Sequence, residues 1–280
     1  MGCGNNITTP GDMERAEQDK MIEASLAKID RKILIMSGKG GVGKSTVAAY
    51  LALLLSQKEY KVGLLDVDLH GPSIPLLFDI QGGLQMSEAG VVRPYRFSDY
   101  LGIVSIGMLM GDKDTAVIWR GPLKISAIRQ FISDIEWGDL DFLIIDSPPG
   151  TGDEPLTVAQ TIPDAEAVIV TTPQEISLAD VRKSITFCRQ VNMTILGIVE
   201  NMSGLMCPHC GKEISLFGKG GGTRMASAMG VPVLGEIPID PEVVKMGDNG
   251  GLDHLTESPD LEINHAYDRI IQNVIKNHSI

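Results

Sequence analysis

A glycine-rich segment with two lysines is the part of this 280-residue chain whose residue types and spacing are best suited to chemistry. Its glycines allow successive backbone N–H groups to point at phosphate oxygens, as in the nucleotide-binding pattern G-x-x-x-x-G-K-S/T. In that pattern Lys44 would hold the β- and γ-phosphates, and Ser45 would ligate Mg²⁺. The candidate nucleotide-binding residues of this phosphate loop are Gly38, Lys39, Gly40, Gly41, Val42, Gly43, Lys44, Ser45 and Thr46.

The elements on either side of the phosphate loop support this interpretation. The apolar run 33–36 precedes it and predicts a buried strand, and the apolar stretch 47–55 follows it and predicts a helix. A helix beginning at the loop would add the positive end of its dipole to a phosphate site. The alternative is a glycine-rich turn that only joins strand to helix, and the agreement of all four features disfavours it.

Carboxylates follow two further apolar runs. Asp66 and Asp68 come after the run 61–65, and Asp146 ends the run 141–145. Open α/β sheets bind ligands at the carboxyl ends of their strands, so these side chains are candidates to hold Mg²⁺, directly or through water, or to orient an attacking water. The N–H of Gly150, after a Pro-Pro turn, could sense the γ-phosphate. The alternative is that Asp66 and Asp68 only form turns or cap helices.

The four cysteines suggest metal or redox chemistry, because a chain without a secretion signal is a poor candidate for disulfides. Cys207 and Cys210 have the C-x-x-C spacing that lets two thiolates bind one metal from one side, whereas zinc and cubane sites usually need about four ligands. A two-fold dimer would supply a second pair. Zinc across such a dimer, a redox pair and a further donor in His209 remain alternatives. Cys188 lies on an apolar helical stripe and is expected to be buried, and Cys3 has no matching partner.

The run G-K-G-G-V-G-K-S-T, with its second lysine, resembles the deviant Walker A motif of ATPases that include MinD, ParA, the nitrogenase iron protein and the Mrp/ApbC-type iron–sulfur carriers. The resemblance covers about residues 30–275, and the paired cysteine spacing favours the Mrp/ApbC branch. It implies a homodimer in which Lys39 reaches the partner's phosphates. It also implies that Asp68 orients the attacking water and that Asp66 lies in the Mg²⁺ shell.

The resemblance further implies a 4Fe-4S cluster bridging two subunits through Cys207 and Cys210, and recognition of the adenine base by Asn201. From the residues alone, an amide at a strand end offers both a donor and an acceptor to a base. The alternative for Asn201 is a turn-forming asparagine.

Composition and the order of the predicted elements indicate the domain organisation and the fold class. Residues 1–29 are predicted to be a polar, partly helical arm that is loosely attached, because its apolar face is weak. Residues 30–280 are predicted to form a single P-loop NTPase domain of the α/β class, with a mostly parallel, doubly wound sheet flanked by helices. The net charge of −12 and pI near 4.8 argue against a nucleic-acid or membrane partner. We expect a cytoplasmic location.

These observations lead to a functional hypothesis and two rivals. The hypothesis is an Mg-ATP-dependent ATPase, a homodimer that carries a 4Fe-4S cluster and transfers it to apo iron–sulfur proteins. The first rival is a MinD/ParA-type positioning ATPase, which would need a basic amphipathic tail or patch. The second is an ATPase whose cysteines hold a structural zinc at the dimer interface.

Overall fold

The computed structural model of the chain describes residues 10–69, 71–87, 90–109, 121–207, 209–258 and 260–277. Cys3 lies outside the described residues. Within them the strands are, in chain order, β1 (Ile29–Met36), β2 (Val62–Asp66), β3 (Gln85–Met86), β4 (Val92–Arg93), β5 (Tyr95–Arg96), β6 (Leu101–Ser105), β7 (Leu140–Asp146), β8 (Glu166–Thr171), β9 (Thr194–Glu200), β10 (Leu205–Met206), β11 (Glu213–Ile214) and β12 (Val233–Glu236).

The α-helices of the same ranges lie before, between and after these strands. They are α1 (Pro10–Leu26), α2 (Lys44–Gln57), α3 (Ile74–Leu77), α4 (Gly121–Asp134), α5 (Asp153–Thr161), α6 (Glu175–Gln190), α7 (Gly221–Met229), α8 (Pro241–Asp248) and α9 (Glu262–Lys276). No helix of the described residues is both long enough and apolar enough to span a bilayer.

Eight strands form the central sheet, in the order β12-β9-β8-β1-β7-β2-β6-β5. Neighbouring strands run parallel except β5, which is antiparallel to β6 at one edge. The predicted α/β fold with a mostly parallel, doubly wound sheet is confirmed. Two short antiparallel pairs, β3 with β4 and β10 with β11, lie outside this sheet.

The central strand β1 shows why its sequence is apolar without alternation. Ile33 and Ile35 pack into a core that includes α2 and α9, whereas Leu34 and Met36 pack into a second core with α4 and α6. Successive side chains of a strand point to opposite faces, so a strand covered on both sides must be apolar at every position. The carboxyl ends of β1, β2, β7 and β9 consequently meet at one edge between two rigid layers.

Helix α1 is attached more firmly than its sequence suggests. Ile22 and Leu26 are buried, at 4% and 7% exposure, in the core that includes α4. Asp19 pairs with Arg129, and the Ser25 hydroxyl donates to the carbonyl of Ile135 at 3.1 Å. The expectation of a loosely attached arm is therefore wrong for this helix. The reason is that a few deeply buried side chains anchor it, although its average amphipathicity is weak.

Candidate functional site

The phosphate loop joins β1 to α2 in a conformation that its glycines permit. Gly41 and Gly43 have φ values of +78° and +79°, which side chains with a Cβ rarely adopt. A Cβ on Gly38 would lie 2.5 Å from the backbone of Asp180 in α6, and one on Gly43 would lie 2.3 Å from Nδ2 of Asn201. Gly41 and Gly43 therefore provide the unusual backbone angles, and Gly38 and Gly43 allow neighbouring elements to approach the loop closely.

Behind the loop, one lysine and two carboxylates are buried together. Lys44 Nζ donates to Asp146 Oδ1 at 2.5 Å, and Lys44 and Asp146 are 6% and 0% exposed. Asp66 is also fully buried and accepts from the Ser105 hydroxyl at 2.9 Å and from the Asp68 N–H at 3.1 Å. Burial, and secondarily the charge of Asp146, raise the pKa of Asp66 to about 8. Burial also raises the pKa of Asp146, against the opposing charge of Lys44.

These carboxylates fit a divalent cation. Asp146 Oδ2 is buried and has no hydrogen-bond partner in the part of the chain that the structure describes. Buried acceptors are normally satisfied, so an unpartnered carboxylate oxygen is what a metal-bound water or a cation would complete. Asp66 contributes a second carboxylate. Ser45 follows Lys44 in the chain, and its hydroxyl is 3.3 Å from Lys44 Nζ. An oxygen donor set of this kind suits Mg²⁺.

Three other predicted residues lie around this centre. Asp68 is 8% exposed, and its Oδ1 accepts from the Gly71 N–H at 3.3 Å. Lys39 is half-buried on the rim of the loop and forms no ion pair within the described residues. The N–H of Gly150 donates to the carbonyl of Ser37 at 2.8 Å. Contact between Gly150 and a phosphate would therefore require the segment after β7 to move.

A mostly apolar cavity of about 640 Å³ adjoins the phosphate loop. It is a size typical of a small-molecule site. Asn201 lies on its wall and also donates from Nδ2 to the Val42 carbonyl at 2.9 Å. The structure thus brings Asn201 to the loop as well as to the cavity. The lining also includes residues from the loop, from α3, from the end of β12 and from α8, among them Thr46, Leu76, Ile239 and Val244.

The two paired cysteines lie on a small hairpin made by β10 and β11. Cys207 N–H donates to the Lys212 carbonyl at 2.9 Å, and the Gly211 N–H donates back to the Cys207 carbonyl at 2.9 Å. Cys207 is half-buried and Cys210 is exposed. Hydrogen bonds from the backbone of His209, then from the backbone and thiol of Cys210, lower the pKa of Cys207. The turn thus favours a thiolate, the form that binds metal.

Two thiols do not complete a zinc or cubane site, which usually needs about four ligands. Among the described residues, no group of three or more His, Cys, Asp and Glu side chains is close enough together to hold a metal ion. Cys188 is separate: it is fully buried on α6, with its Sγ 3.3 Å from Met36 Sδ.

Comparison with known proteins assigns the family. A family model described as ParA, NUBPL iron-transfer P-loop NTPase, matches residues 28–275. The chain belongs to this family. The chain is 50% identical over 250 residues to an iron-sulfur cluster carrier protein of Methanocaldococcus jannaschii, which covers 89% of this chain and 86% of that protein. It is 48% identical over 234 residues to the cytosolic Fe-S cluster assembly factor CFD1 of Saccharomyces cerevisiae, covering 81% and 80%.

Two solved structures are similar to this member of the NUBPL iron-transfer family. A nucleotide-binding protein of Archaeoglobus fulgidus in complex with ADP has a TM-score of 0.75 and 42% identity, covering 85% of this chain and 93% of that one. The cell division ATPase MinD of Pyrococcus furiosus has a TM-score of 0.63 at 23% identity, covering 88% and 99%. The second likeness shows the fold alone. The family assignment agrees with the resemblance drawn from the phosphate loop and the cysteine pair.

The sequence analysis missed one buried charge in this member of the NUBPL iron-transfer family. Glu200 ends β9, is fully buried, and accepts hydrogen bonds from the Gly220 N–H at 3.0 Å and the Ser203 hydroxyl at 2.7 Å. Its signal was an acid that ends an apolar run, the same signal that identified Asp66 and Asp146.

Proposed function

We propose that this protein is an ATP-dependent carrier that holds a 4Fe-4S cluster between two copies of the chain and transfers it to apo iron–sulfur proteins. The observation behind this proposal is the Cys207–Cys210 hairpin. One of its thiols is half-buried and the other exposed, and the described residues contain no group of three or more His, Cys, Asp and Glu side chains that could hold a metal ion. A second copy related by a two-fold axis would complete four thiolates. The names of the relatives, carrier protein and cluster assembly factor, support the same conclusion.

The phosphate loop would bind the nucleotide. Backbone N–H groups of residues 40–45 and the N-terminus of α2 would cradle the phosphates, and Lys44 would exchange Asp146 for phosphate oxygens. Ser45, with Asp66 and Asp146, would hold Mg²⁺, which supplies charge neutralisation on the phosphates. Asn201 and the adjoining cavity would take the base. This assignment is supported by the ADP complex of the Archaeoglobus fulgidus protein.

Hydrolysis would use two further residues. Asp68, at the same sheet edge as Asp66, would orient the attacking water. Lys39, half-buried on the rim and without an ion pair in the described ranges, would extend to the partner's phosphates, as an arginine finger does. Loss of the γ-phosphate would then release the segments after β2 and β7. The two subunits would shift relative to each other, and this shift would change how tightly the cluster is bound. The cytosol, where the yeast relative is named as acting, is the proposed compartment.

Anaerobic reconstitution with iron and sulfide tests the cluster proposal. Wild type should bind about four iron ions per dimer, with broad visible absorption, and the double variant Cys207→Ala/Cys210→Ala should bind none. Cys188→Ala is the matched control, because this buried thiol lies on α6 away from the hairpin, and it should bind iron as wild type does. Zinc as the bound metal, or full iron binding by the double variant, would overturn the proposal.

A further inference from the structure

One buried carboxylate connects both ends of the segment that carries the cysteines. We name residues 203–220 the cysteine segment. At its start, the Ser203 hydroxyl donates to Oε1 of Glu200 at 2.7 Å, and at its end the Gly220 N–H donates to the same oxygen at 3.0 Å. The N–H of Gly222 donates to Oε2 at 2.5 Å. A displacement of this carboxylate would therefore move both ends of the segment together.

The glycines that begin α7, Gly221 and Gly222, allow this contact. A Cβ on Gly221 would lie 2.3 Å from the carbonyl oxygen of Pro173, and one on Gly222 would lie 3.0 Å from Oε2 of Glu200. The glycines thus let the N-terminus of α7 approach the carboxylate closely. A buried negative charge at a helix N-terminus gains from the helix dipole and from charge-assisted hydrogen bonds, so this connection is stronger than one between neutral groups.

Asn201, the residue after Glu200, connects the end of β9 to the proposed nucleotide site. Asn201 donates from Nδ2 to the Val42 carbonyl of the phosphate loop at 2.9 Å, and its own N–H donates to the Thr171 carbonyl at 2.7 Å. The contact is tight, because a Cβ on Gly43 would collide with the Asn201 amide. A change in the loop on binding phosphate would therefore be felt at Asn201 and, through one peptide bond, at Glu200.

The cysteine segment also contacts the proposed base cavity directly. Leu216 and Phe217, six and seven residues after Cys210, are exposed and line the same cavity as Thr46 and Asn201. At the other end of the segment, the carbonyl of Gly204 accepts from the N–H of Ile239, another cavity residue, at 2.7 Å. Both ends thus adjoin the cavity, and Glu200 holds them together behind it.

We propose that Glu200 is the positioning residue through which nucleotide binding sets the conformation of the cysteine segment. The carboxylate touches neither nucleotide nor cluster; it acts on Cys207 and Cys210 through the two ends of the segment. The inference rests on the proposed nucleotide and cluster sites and adds the route between them. Glu200→Gln keeps the size of the side chain, removes the charge, and turns an N–H₂ group toward backbone donors, so it should loosen the connection.

Hydrogen exchange of the full-length protein, with and without Mg-ADP and Mg-ATP, measures the coupling without any cluster. In wild type, saturating nucleotide should change exchange rates in peptides covering 203–220. In Glu200→Gln the nucleotide Kd should stay within about threefold, while the nucleotide-dependent change in that segment falls at least about fivefold, the scale of an ordinary coupling. Glu236→Gln is the control, since Glu236 reaches Ser203 at 3.4 Å and Thr223, beyond the segment, at 3.3 Å, whereas the Gly220 and Gly222 N–H groups donate to Glu200.

The possible results show whether the coupling passes through Glu200. A wild-type response in Glu200→Gln, an equal loss in Glu236→Gln, or no response in wild type would overturn the proposal. If circular dichroism shows that Glu200→Gln does not fold, Ser203→Ala takes its place: it removes one of the connections and should reduce the response, and an unchanged response would overturn the proposal. Iron content decides the carrier function separately, because the exchange measurement needs no iron.

Discussion

At the scale of single residues, burial of the Asp66 carboxyl lowers the stability of the folded protein at neutral pH. This carboxyl is fully buried beside Asp146, and burial, then that neighbour, raise its pKa from the ordinary 3.8 to about 8. The folded protein therefore holds this proton more tightly than the unfolded chain does. The stabilising contribution of the group is fully present below about pH 4 and is lost as pH rises toward about 8. A carboxylate that the proposal assigns to the Mg²⁺ site therefore opposes folding at neutral pH.

Substituting Asp66 by Asn should reverse that effect. In buffer without divalent cations, the Tm of wild type should fall between pH 5 and pH 8, while Asp66→Asn should lose part of that slope and have the higher Tm at pH 7.5. Asp99→Asn is the control, because Asp99 is 83% exposed in a surface pair with Arg96 and should not alter the slope. Differential scanning calorimetry measures both. Parallel curves for wild type and Asp66→Asn would contradict the prediction.

The described cysteines should differ in reactivity. Burial raises the pKa of Cys188 to about 12, whereas backbone hydrogen bonds lower that of Cys207. Because the thiolate is the nucleophile, iodoacetamide at pH 7.5 should alkylate Cys207 and the exposed Cys210 at least about a hundredfold faster than Cys188 in the native protein. Peptide mass spectrometry over time measures this. In urea all three should react at similar rates, and fast native labelling of Cys188 would show that the fold opens at α6.

At the scale of elements, substitutions at two neighbouring residues test whether α1 is docked on the core. Ile22 is 4% exposed in the core that includes α4, and Met21 beside it is 52% exposed. Ile22→Ala should destabilise the protein by about 2–4 kcal/mol, and Met21→Ala by less than about 0.5 kcal/mol, with nucleotide affinity unchanged in both. Urea unfolding measures the difference. Equal effects of the two substitutions would mean that the helix is not docked as described.

The strands of the sheet were predictable and some helices were not. Strands β1, β7, β8 and β9 are apolar runs because both faces of the sheet are covered, and such runs are visible in sequence. Helix α8 was not predicted, although Asp240 caps it through the Glu242 N–H and Pro241 begins it, which is a recognised start signal. Helix α5 was also not predicted; it begins at Asp153, shortly after the Pro-Pro turn and Gly150.

The candidate site was predictable to the extent that it follows strand ends. Asp66, Asp146 and the phosphate loop meet as expected, because parallel strands deliver their carboxyl ends to one edge. Sequence could not show that the Gly150 N–H bonds to Ser37, nor that Glu200 lies under the glycines of α7. Both depend on which backbone groups of distant segments meet, and no local pattern encodes that.

At the scale of the whole molecule, the proposal requires two copies of the chain for two separate reasons. Cys207 and Cys210 supply two thiolates where a cubane needs about four ligands. Lys39 is half-buried in the phosphate loop, apart from the buried Lys44–Asp146 pair. The proposed cluster needs a shared metal site, and the proposed trans role of Lys39 needs a shared active centre, so the two requirements can be tested independently.

Mixed dimers test the second requirement. Lys39→Ala and Asp68→Ala should each be inactive in ATP hydrolysis while still binding ADP. A mixed dimer keeps one complete site, formed by the phosphate loop and Asp68 of the Lys39→Ala chain and by Lys39 of the Asp68→Ala chain. Random exchange of equal amounts should restore about a quarter of the wild-type rate, because half the dimers are mixed and each has one working site. Steady-state phosphate release measures the rate, and no restoration after verified exchange of subunits would mean that Lys39 acts within its own chain.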